Sequence, residues 1–469
     1  IEKPAITPIQ TNRNLESAFL DSIEARPTTP IQPVFLDYGK DLAQGKIKEG
    51  IPLLYKQNTQ NPIFSLNYVF DMGNNEDKAL GTAFTYLNYL GTSTRTAAEI
   101  KSELFSLACS FNLQATNDRV YVNLSGLSDN FDQALALLED RLNNARPDTD
   151  AYRNLVADIL KSRQDKKTNQ AANFAALRAY AVYGPDSPYK HILSEEELKA
   201  MKPEELLAHV KDLKDYRHTI LYYGPLTEKQ ITEKLNAAHV LGSSLKPVPK
   251  ADNFTEQETK ENRVLLAQYD AKQIYLSMLH KGGAYEPGLE PVRELFNDYF
   301  GGGMNTVVFQ ELREARGLAY SANAVYQAPS RPDRAYYMNA FIASQTDKTK
   351  DAIQVFRKIL DQMPVSEKAF SLAKANLMKD LRTGRILREN ILWNYLNAEK
   401  FGYTTDKRRD IYKALPGLTL DSLTAFQQKY VKGLPYTYCI LGNEKDLDMG
   451  YIRSLGPVTE LSQKDIFGY

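Results

Sequence analysis

Residues 300–321 read FGGGMNTVVFQELREARGLAYS, and this stretch contains the most specific pattern in the chain. Three consecutive glycines, 301–303, precede a segment whose pattern predicts a helix from about Asn305 to Ala315. Gly317 can supply the left-handed residue that ends such a helix. Tyr320 then falls on the strand that follows, so the turn lets the side chains of Arg313 and Tyr320 converge.

A repeat extends outward from this stretch and covers most of the chain. Both copies contain alternating apolar residues after an Asp-Arg pair, then an amphipathic helix, a second helix and a terminal strand. Matched pairs keep one offset of 218 residues: Gly184 and Gly402, Thr219 and Thr437, Gly224 and Gly442. Chance similarity rarely preserves one offset through helices, turns and strands. The sequence therefore predicts an α+β protein of two homologous domains, each a mainly antiparallel sheet with helices packed on one face.

The repeat and the composition between its copies predict the domain limits. Residues 1–40 are rich in Pro and Thr and predict an extended arm or linker. The first domain then covers residues 41–240, and a polar linker with two prolines covers 241–262. The second domain, with the glycine-rich stretch, covers residues 263–469.

The bulk composition excludes several classes of protein. Lys+Arg and Asp+Glu are balanced at 58 each, so no global field attracts nucleic acid or an anionic membrane. No apolar run approaches the ~20 residues that a membrane span needs. The two cysteines, Cys109 and Cys439, lie in apolar segments, which indicates buried free thiols rather than a disulfide framework.

The glycine-rich loop, helix and strand resemble those of the pitrilysin- or insulysin-type (inverzincin) zinc metallopeptidases, a family that includes the mitochondrial processing peptidase. The resemblance extends more loosely over nearly the whole chain, and Leu90-Gly91-Thr92 carries it in the first copy. In that family two duplicated halves close around a peptide. The catalytic half carries His-x-x-Glu-His on a helix, where two His bind one zinc ion and the Glu acts as general base.

This chain lacks that motif. The equivalent helix, which precedes Gly91, reads GTAFTYLNYL over residues 81–90 and contains neither His nor Glu. The five histidines are too far apart in sequence for the His-x-x-x-His pairing, although ligands from distant segments can still assemble: they are His191, His209, His218, His239 and His280. We therefore expect no metal ligands here, and the resemblance implies that zinc is bound by a partner half.

The resemblance also implies what this half contributes. Family members place an Arg and a Tyr, seven positions apart, where they reach toward the substrate, and the matching residues are Arg313 and Tyr320. An Arg fork can orient a peptide carbonyl, and a phenol can donate to a developing oxyanion. Gly301, Gly302 and Gly303 could contact substrate closely or could simply end a helix. Ordinary packing is the alternative explanation for the Tyr, and a favourable helix-end charge for the Arg.

The leading hypothesis is thus the non-zinc half of a zinc metalloendopeptidase that cleaves peptides in a closed chamber. The partner would be a zinc-bearing half, on the same precursor chain or as a separate subunit, and the isolated chain would be inactive. One alternative is a structural core subunit of a larger assembly, and another is a peptide-binding module. The resemblance suggests a bacterial periplasmic or cell-envelope location.

Overall fold

The computed structural model describes residues 17–27, 29–251 and 254–469. Its strands are β1 Ala43–Lys46, β2 Pro52–Gln57, β3 Ile63–Phe70, β4 Cys109–Ala115, β5 Val120–Leu127, β6 Thr219–Gly224, β7 Arg263–Gln268, β8 Gln273–Ala284, β9 Ser321–Gln327, β10 Ala335–Gln345, β11 Thr437–Gly442 and β12 Val458–Leu461. Its helices are α1 Ala18–Glu24, α2 Leu80–Leu87, α3 Ala97–Ser106, α4 Phe131–Asn144, α5 Thr149–Lys167, α6 Gln170–Tyr183, α7 Glu195–Ala200, α8 Pro203–Lys211, α9 Glu228–Ala238, α10 Glu290–Phe300, α11 Val307–Phe309, α12 Thr349–Asp361, α13 Glu367–Thr383, α14 Asn390–Lys400, α15 Lys407–Ala414, α16 Leu420–Tyr430, α17 Met449–Leu455 and α18 Gln463–Phe467.

Two six-stranded sheets form the centre of the molecule, and five strands of each share one topology; the edge strands differ, since β1 pairs with β2 antiparallel and β12 pairs with β7 parallel. The first has the order β1-β2-β6-β3-β5-β4 and the second has β12-β7-β11-β8-β10-β9. In the first sheet β6 pairs in parallel with β2 and antiparallel with β3, and in the second sheet β11 pairs in the same way with β7 and β8. The parallel pairs make each sheet mixed, but most pairings are antiparallel. The predicted α+β class with two duplicated domains is confirmed.

Local sequence signals place several of the helices. Thr96 caps α3 in a full capping box with Glu99, and Ser366 accepts the Ala369 amide at the start of α13. Each sheet packs the helices of its own repeat on one face. In the second repeat, the buried stripe of α12, which includes Ile353 and Phe356, packs into the hydrophobic core between the sheet and its helices.

The opposite face of each sheet is covered by a helix from the other repeat. Phe174 and Leu177 of α6, in the first repeat, pack with Leu265 and Leu441 of the second sheet. Leu392 of α14, in the second repeat, packs in the same way with residues of β2, β3 and β6. Within one repeat the helices lie on one face of the sheet, as predicted. The other face of each sheet is covered by a helix of the other repeat, α14 on the first sheet and α6 on the second, and we call this arrangement the exchange of α6 and α14.

The predicted arm and linker contain more structure than their composition suggests. Residues 1–16 lie outside the described part, so the prediction for them is untested, but α1 follows with Ser17 as its N-cap. Leu36 and Tyr38, near the end of the arm, are buried against α14. In the linker, the Gln257 amide donates to the Val182 carbonyl at 2.6 Å. The domain limits at 41–240 and 263–469 remain predictions.

Among the described residues, no helix combines the length and the apolar character that crossing a membrane requires.

Candidate functional site

The glycine-rich loop connects α10 to α11 and is held by backbone contacts. The amides of Gly301 and Gly302 both donate to the Asn297 carbonyl, at 3.1 and 2.7 Å, which ends α10. Gly301 is buried beside β9, and a Cβ atom there would lie 2.0 Å from the Ala324 carbonyl oxygen. Gly303 is exposed, and a Cβ atom at its position would meet nothing within 4 Å. The loop is thus anchored at Gly301 and open at Gly303.

The helix after the loop differs from the regular helix that the sequence predicts. Thr306 is buried, and its hydroxyl donates to the Gly303 carbonyl at 2.6 Å, which fixes the helix start. The short α11 then continues as a π-helix over Gln310–Glu314, in which the Ala315 amide donates to the Gln310 carbonyl at 2.8 Å. Sequence periodicity did not predict this wider turn. Single π-turns inside helices often occur at functional sites.

The turn after the π-helix has the geometry that the sequence predicts for it. Gly317 has a φ of 56°, and its amide donates to the Arg313 carbonyl at 2.9 Å. The Ser344 hydroxyl and the Lys348 ammonium donate to the carbonyls of Leu318 and Gly317, at 2.6 and 3.0 Å. These two positioning residues were missed at the sequence level, because nothing in the local pattern connects β10 to this turn.

The structure brings Arg313 and Tyr320 together. The guanidinium carbon of Arg313 lies 5.6 Å from the centre of the Tyr320 ring and 5.0 Å from that of the Phe309 ring. Tyr320 immediately precedes β9, and its amide donates to the Ala343 carbonyl at 2.8 Å. Phe309 was also missed, although its spacing of four residues from Arg313 on a helix could have indicated the contact.

Both side chains keep their polar atoms available. The Tyr320 side chain is 68% exposed, and the Arg313 side chain 44%. The nearest acid to Arg313 is Glu314, whose carboxylate oxygen lies 4.0 Å from Nε, at the limit of an ion pair. Within the described ranges, neither side chain makes a hydrogen bond to the protein. The pair therefore presents a fork of N–H donors and a hydroxyl on one exposed surface.

The helix that corresponds to the zinc-binding helix of the resembled family is α2, and it is part of the core. Ala83, Phe84 and Leu87 are buried in it. Tyr86 is buried as well, and its hydroxyl donates to the Asp148 carbonyl at 2.8 Å. Over residues 17–27, 29–251 and 254–469, no three or more His, Cys, Asp or Glu side chains form a group that could hold a metal ion.

The spacing of the five histidines in the sequence suggested that each is isolated, but two of them are in contact in the structure. His218 and His239 are buried, and their Nε2 atoms lie 3.0 Å apart. His239 Nδ1 lies 2.8 Å from a Glu139 carboxylate oxygen, to which the Tyr68 hydroxyl also donates at 2.8 Å. Burial, and to a lesser degree the charge of His239, lowers the pKa of His218 to about 4. This network lies inside the first domain.

Two further histidines have structural partners. His209 contacts Asp77 through Nδ1, and the hydrogen bond raises the pKa of His209. His280 Nδ1 lies 2.8 Å from the Pro435 carbonyl oxygen.

Together, the fold and the site define a duplicated α+β protein whose zinc-helix position is apolar core and whose exposed Arg–Tyr pair faces solvent. Residues 201–377 match the family model described as the peptidase M16 inactive domain. That model describes the non-catalytic part of the M16 zinc peptidases, and the match confirms the recognition made from the sequence. The matched range begins after α7 and ends within α13, so it includes residues of both sheets.

Relatives and solved structures extend this likeness beyond the matched range. A protein named as an uncharacterized zinc protease of Rickettsia felis is 22% identical over 388 residues, which cover 79% of this chain and 87% of that protein. The crystal structure of a peptidase M16 inactive domain from Pseudomonas fluorescens superimposes with a TM-score of 0.67 at 18% identity, covering 86% of this chain and 98% of that one.

A larger solved protein shows the same fold over part of its length. The periplasmic protease PqqL from Escherichia coli superimposes with a TM-score of 0.70 at 13% identity. The likeness covers 94% of this chain and 49% of PqqL, so the chain spans about half the length of that protease.

Proposed function

We propose that the chain is the substrate-positioning half of an M16 zinc peptidase and that it acts through Arg313 and Tyr320. The observation that carries the proposal is the contact between the two side chains, with their donors left open to solvent. A packing role would bury the ring, and a role as a surface ion pair would place a carboxylate closer to the guanidinium.

Each of the two residues has a defined part in the proposal. The guanidinium of Arg313, which contacts the rings of Phe309 and Tyr320, donates to a backbone carbonyl of the bound peptide. The Tyr320 hydroxyl donates to the oxygen that gains negative charge when the scissile carbonyl becomes tetrahedral. The exposed Gly302 and Gly303 let the peptide backbone approach closely, although a Cβ atom at Gly302 would lie 2.9 Å from the Asn297 carbonyl oxygen. Gly301 is needed for packing, because a Cβ atom there would lie 2.0 Å from the Ala324 carbonyl oxygen.

Zinc enters this proposal as a cofactor of the partner half alone. The donor set of this chain does not fit a zinc site, because α2 contributes apolar core and no metal-holding group exists among the described residues. The isolated chain is therefore inactive in our proposal, and cleavage of peptides in a closed chamber requires the zinc-bearing M16 half.

The test compares single variants of this chain assembled with the zinc-bearing M16 half from the same source. Tyr320→Phe should lower kcat for a quenched fluorescent peptide by about 10²-fold, the usual effect of one oxyanion donor. Arg313→Met should lower kcat/KM mainly through a raised KM, because its contact is made to the bound peptide as well as in the transition state. Tyr89→Phe and Arg153→Met change a half-exposed tyrosine and an exposed arginine elsewhere and should leave kcat within about twofold.

Two outcomes would count against the proposal. Unchanged turnover in both site variants would favour a structural core subunit. Peptide binding without cleavage in every assembly, including the wild-type one, would favour a peptide-binding module.

A further inference from the structure

A second polar site lies in the first domain, where α2 ends beside α3 and β4. A cavity of about 430 Å³ opens there, and we call it the Arg141 pocket; its walls include Asn88, Lys101, Leu104, Cys109, Phe111 and Arg141. None of these residues belongs to the Arg313–Tyr320 surface, which is built from the second domain.

Arg141 is a buried cation without an acidic partner. Its exposed fraction is 5%, and its Nη2 donates to the Leu87 carbonyl at 2.6 Å. Its guanidinium carbon lies 4.7 Å from the centre of the Phe111 ring, and its Nε is buried with no hydrogen-bond partner. Burial lowers the pKa of Arg141 to about 10, so the side chain is still cationic at neutral pH.

The described chain does not neutralise this charge. No described carboxylate lies within ion-pair distance of Arg141, and the pocket lining contains a second cation, Lys101, and no acid. The thiol of Cys109 adds no negative charge, because burial raises its pKa. A buried charge without a partner is costly, and an external anion that reaches it removes that cost.

The other residues that line the Arg141 pocket indicate which chemical group is attached to the anion. Leu104 and Cys109 are almost fully buried, and Phe111 presents its ring beneath the guanidinium. The Phe105 side chain, at the rim, is 86% exposed. Such a lining suits a group that is planar and anionic at one end and apolar next to it. Nε is buried and one N–H of Nη2 donates to Leu87, so the donors left for a carboxylate are those of Nη1 and the second N–H of Nη2.

We propose that the Arg141 pocket binds an organic carboxylate that carries an apolar group, such as the C-terminal carboxylate of a peptide that ends in a hydrophobic residue. The proposal does not depend on the Arg313–Tyr320 function, because binding is measured on this chain by itself.

The test measures binding of N-acetyl-L-phenylalanine and of its amide by titration calorimetry. The acid should bind at least about 10-fold more tightly than the amide, because hydrogen bonds to a charged group are stronger than those to a neutral one. Arg141→Met should remove that difference, and Lys101→Met should weaken acid binding by a smaller factor. Arg163→Met is the matched control, since Arg163 is also buried, donates to a backbone carbonyl and contacts an aromatic ring.

Further measurements identify the kind of carboxylate that binds, and two results would overturn the proposal. Octanoate and a pentapeptide ending in a free Phe carboxylate distinguish a small-molecule carboxylate from a peptide terminus, and tight binding of either supports the pocket. Equal binding of acid and amide to the wild-type chain would overturn the proposal even if Arg141→Met failed to fold. Wild-type affinity in a folded Arg141→Met variant would overturn it as well.

Discussion

Arg313 and Tyr320 lie against each other across the turn at Gly317, with 5.6 Å between the guanidinium carbon and the ring centre. The left-handed Gly317, together with the bonds from Ser344 and Lys348, fixes the path of the chain between them. The rigid part of this site is therefore its backbone, and the two side chains are free to bind. That arrangement is the one a substrate-positioning pair requires.

The ring of Phe309 also contacts the guanidinium of Arg313, with 5.0 Å between the guanidinium carbon and the ring centre. Replacing it by leucine keeps most of the apolar contact and removes the aromatic face, which is worth about 0.5–1 kcal/mol at an exposed site. We expect Phe309→Leu to lower kcat/KM of the assembled peptidase by roughly 2- to 5-fold with little change in thermal stability. Steady-state kinetics check this, and wild-type kinetics would show that the ring does not position Arg313.

The first and third glycines of the loop should respond differently to the same substitution. In Gly301→Ala the new methyl group would lie 2.0 Å from the Ala324 carbonyl oxygen, so the variant should lose about 1–3 kcal/mol of unfolding free energy. Gly303→Ala meets nothing within 4 Å and should stay within about 0.5 kcal/mol of wild type. Urea denaturation measures both values.

Because Gly303→Ala leaves the fold unchanged, its kinetics report on the peptide. A raised KM in the assembled enzyme would support close approach of substrate to the loop, whereas unchanged kinetics would assign the loop a structural role alone.

The exchange of α6 and α14 predicts that the two domains unfold together. Leu177 of α6 is fully buried against the second sheet, so Leu177→Ala should cost about 2–5 kcal/mol. The only tryptophan, Trp393, lies on α14 and contacts Tyr121 of the first sheet, with ring centres 5.7 Å apart. The urea concentration at the midpoint of unfolding, measured by Trp393 fluorescence, should therefore be lower in Leu177→Ala, although Leu177 packs on the second sheet and Trp393 on the first.

Leu372→Ala is the control for this experiment, because Leu372 is 53% exposed on α13. An unchanged Trp393 midpoint in Leu177→Ala, with a second transition by circular dichroism, would show that the domains unfold independently.

His218 predicts a loss of stability in mild acid. Its pKa is about 4 in the folded chain and about 6.5 when unfolded, so below pH 6.5 the unfolded state binds the proton more strongly. The contribution of neutral His218 is complete above pH 6.5 and is lost as the pH falls toward 4, a change of roughly 3 kcal/mol. His218→Asn should show a shallower decline of unfolding free energy between these pH values. If the unfolding free energies of the wild type and of His218→Asn fell in parallel with pH, His218 would not be the source of the acid sensitivity.

Much of the fold could be predicted from the sequence, because the two copies of the repeat share their pattern of buried positions as well as individual residues. The offset of 218 residues placed matching strands at β6 and β11, and Gly317 marked the end of the helix before Tyr320. The exchange of α6 and α14 was not predictable from the pattern. An apolar helix face shows that it is buried, but not which sheet covers it.

Other features were missed because their partners are distant in sequence. His218 and His239 are 21 positions apart, and a search for metal ligands at helical spacing passes over them. Arg141 follows an acidic residue on an amphipathic helix and reads as a solvated charge, yet its partner groups come from α2 and β4. The π-helix at Gln310–Glu314 has no sequence period of its own that would separate it from an α-helix.

The most direct test of the account is cleavage of a quenched fluorescent peptide by this chain, with and without the zinc-bearing M16 half, together with zinc analysis of the purified chain. We predict no bound zinc and no turnover for the chain alone, and turnover that depends on both halves in the mixture. Stoichiometric zinc with activity in the isolated chain would contradict the account, and so would a zinc-bearing half whose activity is the same with or without this chain.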